Sequence, residues 1–167
     1  MRIVSGPAAA KVTPMAAALL FLALGAAAAA PRADAPEQVF SCSFGARQVE
    51  VVREGPTLTY RFGRPGRPEM VISADAASGN VLYHRTLYPH GEDQSLRFQR
   101  GAYSYVIFNA FQTPDYRQEG AVDQSGLLVL RNGRRITRMN CRSGGDFIER
   151  DIFGTLPQDT ENRVPRD

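Results

Sequence analysis

Tryptophan is absent from these 167 residues, lysine occurs once as Lys11, and there are only two cysteines and two histidines. Each scarcity excludes something. His84, His90, Glu92 and Asp93 lie close in sequence, but their spacing fits no ligand template for a metal centre. The two cysteines are far apart and form no Cys-x-x-Cys redox pair. Neither Gly-x-Ser-x-Gly nor His-Glu-x-x-His occurs, which removes two common catalytic signatures. Gly63-Arg64-Pro65-Gly66 is no phosphate loop, because Pro65 and the nearby Pro68 lack the backbone N–H groups that a phosphate needs. No enzyme is expected, and no metal or other cofactor.

Charge of a single sign is missing as well. Past residue 35 there are 17 Arg against 16 Asp and Glu, so the net charge there is near +1. That balance implies no long-range attraction to nucleic acid. No apolar run reaches the roughly 20 residues of a stable membrane span. The body sustains no 3.6-residue apolar period, which excludes a coiled coil or helical bundle.

What is present begins with an export signal. Arg2 and Lys11 make a positive N-terminal region, and the 16 residues Met15–Ala30 are apolar and end in a crowd of alanines. Ala27-Ala28-Ala29 supplies the small-x-small pattern of signal peptidase sites. Residues 1–29 therefore read as a cleaved signal peptide and 30–38 as a linker. No cysteine follows the run directly, so no lipid anchor is expected, and the destination is the periplasm or the exterior. Cysteines in a small exported domain pair in that oxidising compartment. Cys42 and Cys141 are expected to form a structural disulfide, closing a loop of about 100 residues.

Between 39 and 141 the pattern is that of strands. Leu58, Tyr60 and Phe62 alternate with polar residues, which puts them on one face. Asn132-Gly133 sits between two β-like runs, the strongest local hairpin signal, because both turn residues must take positive φ. Gly101, in the short loop Arg100-Gly101-Ala102, does similar work between Leu96–Phe98 and Tyr103–Phe108. Gly63–Pro68 is expected to break regular structure, and 112–124 to be a long loop. About eight short antiparallel strands imply an all-β fold, a small barrel or sandwich. Beyond it, 142–167 is expected to be a tail. Ser143-Gly144-Gly145 reads as a hinge and Asp146–Phe153 as two helical turns that dock on the β domain. Gln158–Asp167 reads as disordered.

For binding there is more material than for catalysis. Tyrosine and arginine, both favoured at interface hot spots, cluster at Tyr60–Arg67, at Tyr83–Tyr88 and at Tyr103 and Tyr105. Phe40-Ser41-Cys42-Ser43-Phe44-Gly45, a β-rich body and the closing Cys141 together resemble the periplasmic and membrane-bound lysozyme inhibitors of Gram-negative bacteria. Tyr60-Arg61-Phe62-Gly63-Arg64-Pro65-Gly66 is also similar to uncharacterised exported bacterial proteins. The inhibitor resemblance implies a small barrel whose Ser-Gly loop and following Tyr enter the lysozyme cleft. Its counterpart here is Ser78-Gly79-Asn80-Val81-Leu82-Tyr83. On that likeness Ser78 supplies a hydroxyl on the turn made by Gly79, Tyr83 anchors, and Arg85 brings a cation to the two lysozyme carboxylates. The partner implied is a lysozyme, held by occlusion. The alternative is a structural or ligand-binding envelope protein with no catalytic role.

Overall fold

The computed structural model describes residues 35–114, 122–148, 151–161 and 164–165; the expected signal peptide, 1–29, lies outside them. Ten strands run in chain order: β1 (Glu37–Ser43), β2 (Gln48–Glu54), β3 (Thr57–Arg64), β4 (Arg67–Ala74), β5 (Val81–Tyr88), β6 (Gly91–Arg100), β7 (Tyr103–Gln112), β8 (Val122–Arg131), β9 (Arg134–Asn140) and β10 (Ser143–Phe147). They form two antiparallel sheets of five, ordered β10-β1-β2-β3-β4 and β5-β6-β7-β8-β9. The all-β expectation holds, and the architecture is a sandwich. No helix among the described residues is long and apolar enough to cross a membrane.

Turn chemistry explains why neighbours in sequence become neighbours in space. Two-residue turns at 55–56, 65–66, 89–90, 101–102 and 132–133 join successive strands. Asn132 and Gly133 both take positive φ, as that turn requires. Alternation then sends one face of each sheet inward. From the first sheet come Phe40, Val49, Val51, Leu58, Tyr60 and Ile72; from the second, Val81, Leu96, Phe98, Tyr105, Ile107 and Leu127. Tyr60 sits at the centre, its ring 5.5 Å from Phe98 and 5.6 Å from Tyr105. In β7 the unbroken run Tyr105-Val106-Ile107-Phe108 is buried on both faces, and Val106 and Phe108 cluster with Leu128 and Leu130 on the outer side.

The disulfide forms as expected between Cys42 and Cys141, whose Cα atoms are 5.4 Å apart. It lies where the chain passes from one sheet to the other. There Cys141 N–H donates to the Ser125 carbonyl of β8 (2.8 Å), and Arg142 N–H donates to the Ser43 carbonyl of β1 (2.7 Å).

Several local expectations are corrected. Residues 63–68 do not break the sheet. Only Pro65-Gly66 turns, while Gly63 occupies a bulge where a β-carbon would strike the backbone around Glu69 and Pro68. Pro68 lies on the edge strand β4, where a missing N–H costs nothing. Ser143-Gly144-Gly145 is no hinge. It opens β10, which pairs with β1 and carries the β domain past residue 141. A β-carbon on Gly144 would collide with the Ser41 carbonyl oxygen, and one on Gly145 with the Ser125 side chain. The glycines are there because the strand runs tightly against its neighbours. Glu37 and Gln38, expected in the linker, belong to β1.

The tail is also more ordered than its composition implies. In place of two helical turns there is a single 3₁₀ turn, Asp151–Gly154. Asp146 and Phe147 belong to β10 instead, and the Phe147 ring meets Phe40 (4.9 Å) and Phe153 (5.3 Å). Ile152 and Phe153 do dock in the core, as expected, and Leu156 joins them, whereas Ile148 is exposed. Gln158 and Asp159, expected to be disordered, are bound with Pro157 beside β5.

Candidate functional site

The segment that links the sheets, residues 75–80, carries the first of the expected binding residues. Ser78 N–H donates to Asp75 Oδ1 (2.7 Å), Ser78 Oγ donates to the Asp75 carbonyl (2.8 Å), and Asp75 N–H donates back to Ser78 Oγ (3.2 Å). Asn80 N–H reaches the same oxygen at 3.3 Å. Gly79 takes φ +64°, a conformation that L side chains rarely adopt. The loop is exposed and stiff, and its stiffness comes from occupying the Ser78 hydroxyl.

Tyr83 and Arg85 share the inward-facing side of β5, two residues apart. Tyr83 is half-buried and packs on Phe153 with ring centres 5.9 Å apart. Arg85 is exposed and pairs across the strands with Glu92 at 3.0 Å. The four residues thus lie along one segment, but they do not converge on one surface: Ser78 serves its loop, Tyr83 the tail and Arg85 a neighbouring carboxylate.

On the outer side of the same strand His84 is buried. Its Nδ1 is 3.3 Å from the Asp159 carbonyl oxygen, and its Nε2 is 2.9 Å from Thr86 Oγ1. A carbonyl only accepts, so Nδ1 donates there, while Nε2 shares a hydrogen bond with the Thr86 hydroxyl. Nδ1 thus holds the tail, while Nε2 is fixed by β5 itself. Arg97, from β6, reaches Asp159 Oδ1 at 2.6 Å and Glu161 Oε2 at 3.2 Å. The Asp159 side chain is 1% exposed and that of Arg97 11%, so the ion pair is effectively dry. Asp159 Oδ2 and Arg97 Nε find no partner among the described residues. Tyr83 N–H donates to the Pro157 carbonyl (3.0 Å) and its carbonyl accepts from Asp159 N–H. The tail therefore runs parallel to β5 and closes its open edge.

His90 sits exposed in the β5–β6 turn and accepts from Thr113 only through its backbone carbonyl. Among the described residues no three His, Cys, Asp or Glu side chains group as a metal site.

One exposed set went unremarked in the sequence. Strand register aligns Arg100 with Tyr103, Tyr103 with Arg131, and Arg131 with Arg134. The flanks of the two turns, Arg-Gly-Ala-Tyr and Arg-Asn-Gly-Arg, are visible in sequence. Their adjacency is not, because β7 and β8 are joined across the long stretch after Gln112.

Comparison with known protein families, with curated proteins and with solved structures finds no match for this chain.

Proposed function

We propose that this chain is an exported binding protein of the bacterial cell envelope, acting by recognition rather than by covalent chemistry. One contrast carries this reading. The buried ionisable groups are engaged inside the fold: His84 and Asp159, with the half-buried Arg97, fasten the tail, and Asp93 accepts from the Tyr88 hydroxyl, whereas the exposed turns are held rigid. A catalytic centre needs ionisable groups that meet substrate; a recognition surface needs stiff, exposed, polar turns on a firm scaffold. The paired cysteines support the oxidising compartment that the N-terminal segment implies.

Within this reading a lysozyme remains the partner implied by the resemblance, and the stiffness of the 75–80 loop favours it. Arg85 would exchange Glu92 for a lysozyme carboxylate, and Tyr83 would anchor from beside the tail. Titrating the oxidised protein into muramidase assays with c-, g- and i-type enzymes tests this directly. Inhibition that saturates at one protein per enzyme, and that weakens on Arg85→Ala, is the expected result. Unchanged activity at micromolar excess removes the lysozyme assignment. The wider reading is tested by a photo-crosslinker at Asn80, expected to capture one saturable envelope partner. Failure of any saturable capture, here and at the opposite turns, would overturn it.

A further inference from the structure

The row Arg100–Tyr103–Arg131–Arg134 crosses four strands at one end of the second sheet. Register partners point to the same side of a sheet, so all four side chains share a face. Neighbouring strands lie about 4.8 Å apart, which puts the Arg100 and Arg131 backbones about 10 Å apart and Arg131 and Arg134 about 5 Å apart. All four residues are exposed, Tyr103 to 38%. Among the described residues no carboxylate pairs with any of the three arginines, although the other Arg of this fold repeatedly find one.

The row is also rigid. Asn132 N–H donates to the Ala102 carbonyl (2.8 Å) and ties the two turns side by side. The Arg131 guanidinium stands over the Tyr103 ring at 5.7 Å, and that ring stacks on Tyr105 at 6.4 Å with 21° between planes. Tyr105 in turn meets Tyr60 in the core. A ladder of aromatic rings thus anchors an exposed cation from beneath.

We propose that this row is a binding site for a linear acidic polysaccharide. Planar guanidinium groups engage carboxylates in bidentate fashion. Each contact in open water is weak, so a single small anion gains little here. A chain bearing repeated carboxylates engages three arginines at once, and linkage makes the weak contacts additive. Tyr103 lies between Arg100 and Arg131 in register, and Asn132 between Arg131 and Arg134 in sequence, so their polar groups are neutral partners for sugar hydroxyls beside the cations. Other polyanions fit less well. Gly101, Ala102, Asn132 and Gly133 offer no large apolar side chain to insert into a bilayer. The Tyr103 ring is already taken by Tyr105 and Arg131, which leaves no stacking platform for bases.

This deepens the binding reading by naming a ligand class, and it is tested without the 75–80 loop. The oxidised protein, purified from cells expressing the full chain, is titrated with polygalacturonate, with neutral dextran and with phosphatidylglycerol vesicles. Saturable binding to polygalacturonate that weakens with added salt, and none to dextran, is expected. Arg131→Gln with Arg134→Gln should weaken it about tenfold. A control pair, Arg64→Gln with Arg67→Gln, removes equal charge from the exposed β3–β4 turn and should leave binding unchanged. All four positions are exposed turn flanks, and unaltered melting curves confirm the fold. Equal losses from both pairs would reduce the effect to net charge and overturn the site. So would an absence of polygalacturonate binding, or tighter binding to vesicles. None of these three results touches the Asn80 crosslinking, by which the wider reading stands or falls.

Discussion

Tyr60 shows how much one buried hydroxyl decides. Its ring fills the centre of the core, yet its Oη is buried without a hydrogen-bond partner among the described residues. Leaving such a group unmade costs about 1–3 kcal/mol. Tyr60→Phe keeps the ring and removes the orphan, so it is expected to stabilise the protein by about 1 kcal/mol, read as a raised urea midpoint with unchanged slope. A loss of stability would mean that the hydroxyl does find a partner. Burial, reinforced by Tyr105, also pushes the Tyr60 phenol well above its ordinary value. The sign follows from linkage. Above about pH 10 the unfolded tyrosine loses its proton while the folded one keeps it, so the unfolded state binds fewer protons. Stability should then fall by about 1.4 kcal/mol per pH unit on this account alone. Tyr60→Phe should lack that component in alkaline unfolding curves.

At the scale of elements, the decisive feature is how edges are closed. A meander of five strands leaves two open edges per sheet, each a template for unwanted pairing. β5 is sealed by residues 157–159 of its own chain, held by the dry Arg97–Asp159 pair. β9 is guarded instead by a bulge near Ile136 and by Arg134, Arg135 and Arg138. Removing one partner of a buried ion pair strands the other, which typically costs 3–5 kcal/mol. Asp159→Ala is therefore expected to destabilise the protein by about 3 kcal/mol. It should also speed hydrogen exchange at the Tyr83 amide, which the tail otherwise protects. Slow exchange at Tyr83 in that variant would show that the 3₁₀ turn and Leu156 hold the tail unaided.

For the whole molecule, the disulfide is the constraint that spans it. Cys42 lies in the first sheet, and Cys141 follows the last strand of the second, with 99 residues of separation. A loop of that size gives a chain-entropy stabilisation of about 4.7 kcal/mol in the simplest account. Cys42→Ser with Cys141→Ser is expected to lower stability by about 3–5 kcal/mol, measured by denaturant unfolding of the oxidised wild type and the variant. A difference below about 1 kcal/mol would show that β10 and the shared core hold the sheets together without it.

The sequence by itself determined most of the ten strands, the Asn132-Gly133 and Gly101 turns and the cysteine pair, because each rests on local chemistry. Alternation in Leu58–Phe62, the Asn132-Gly133 turn and the unbroken apolar run in β7 act over a few residues and need no distant partner. Ser78, Gly79, Tyr83 and Arg85 were legible as one stretch, but their separate employment in loop, tail and ion pair was not. Only the tertiary structure decided what lies beside what. Gly144-Gly145 resembles a hinge until β1 and Ser125 press against it, and the polar tail resembles a free end until Asp159 meets Arg97. The row of Arg100, Tyr103, Arg131 and Arg134 exists only through register between hairpins distant in sequence. The physical reason is the same in each case. Turn and period preferences are properties of adjacent residues, whereas edge closure and lateral alignment depend on which strands meet.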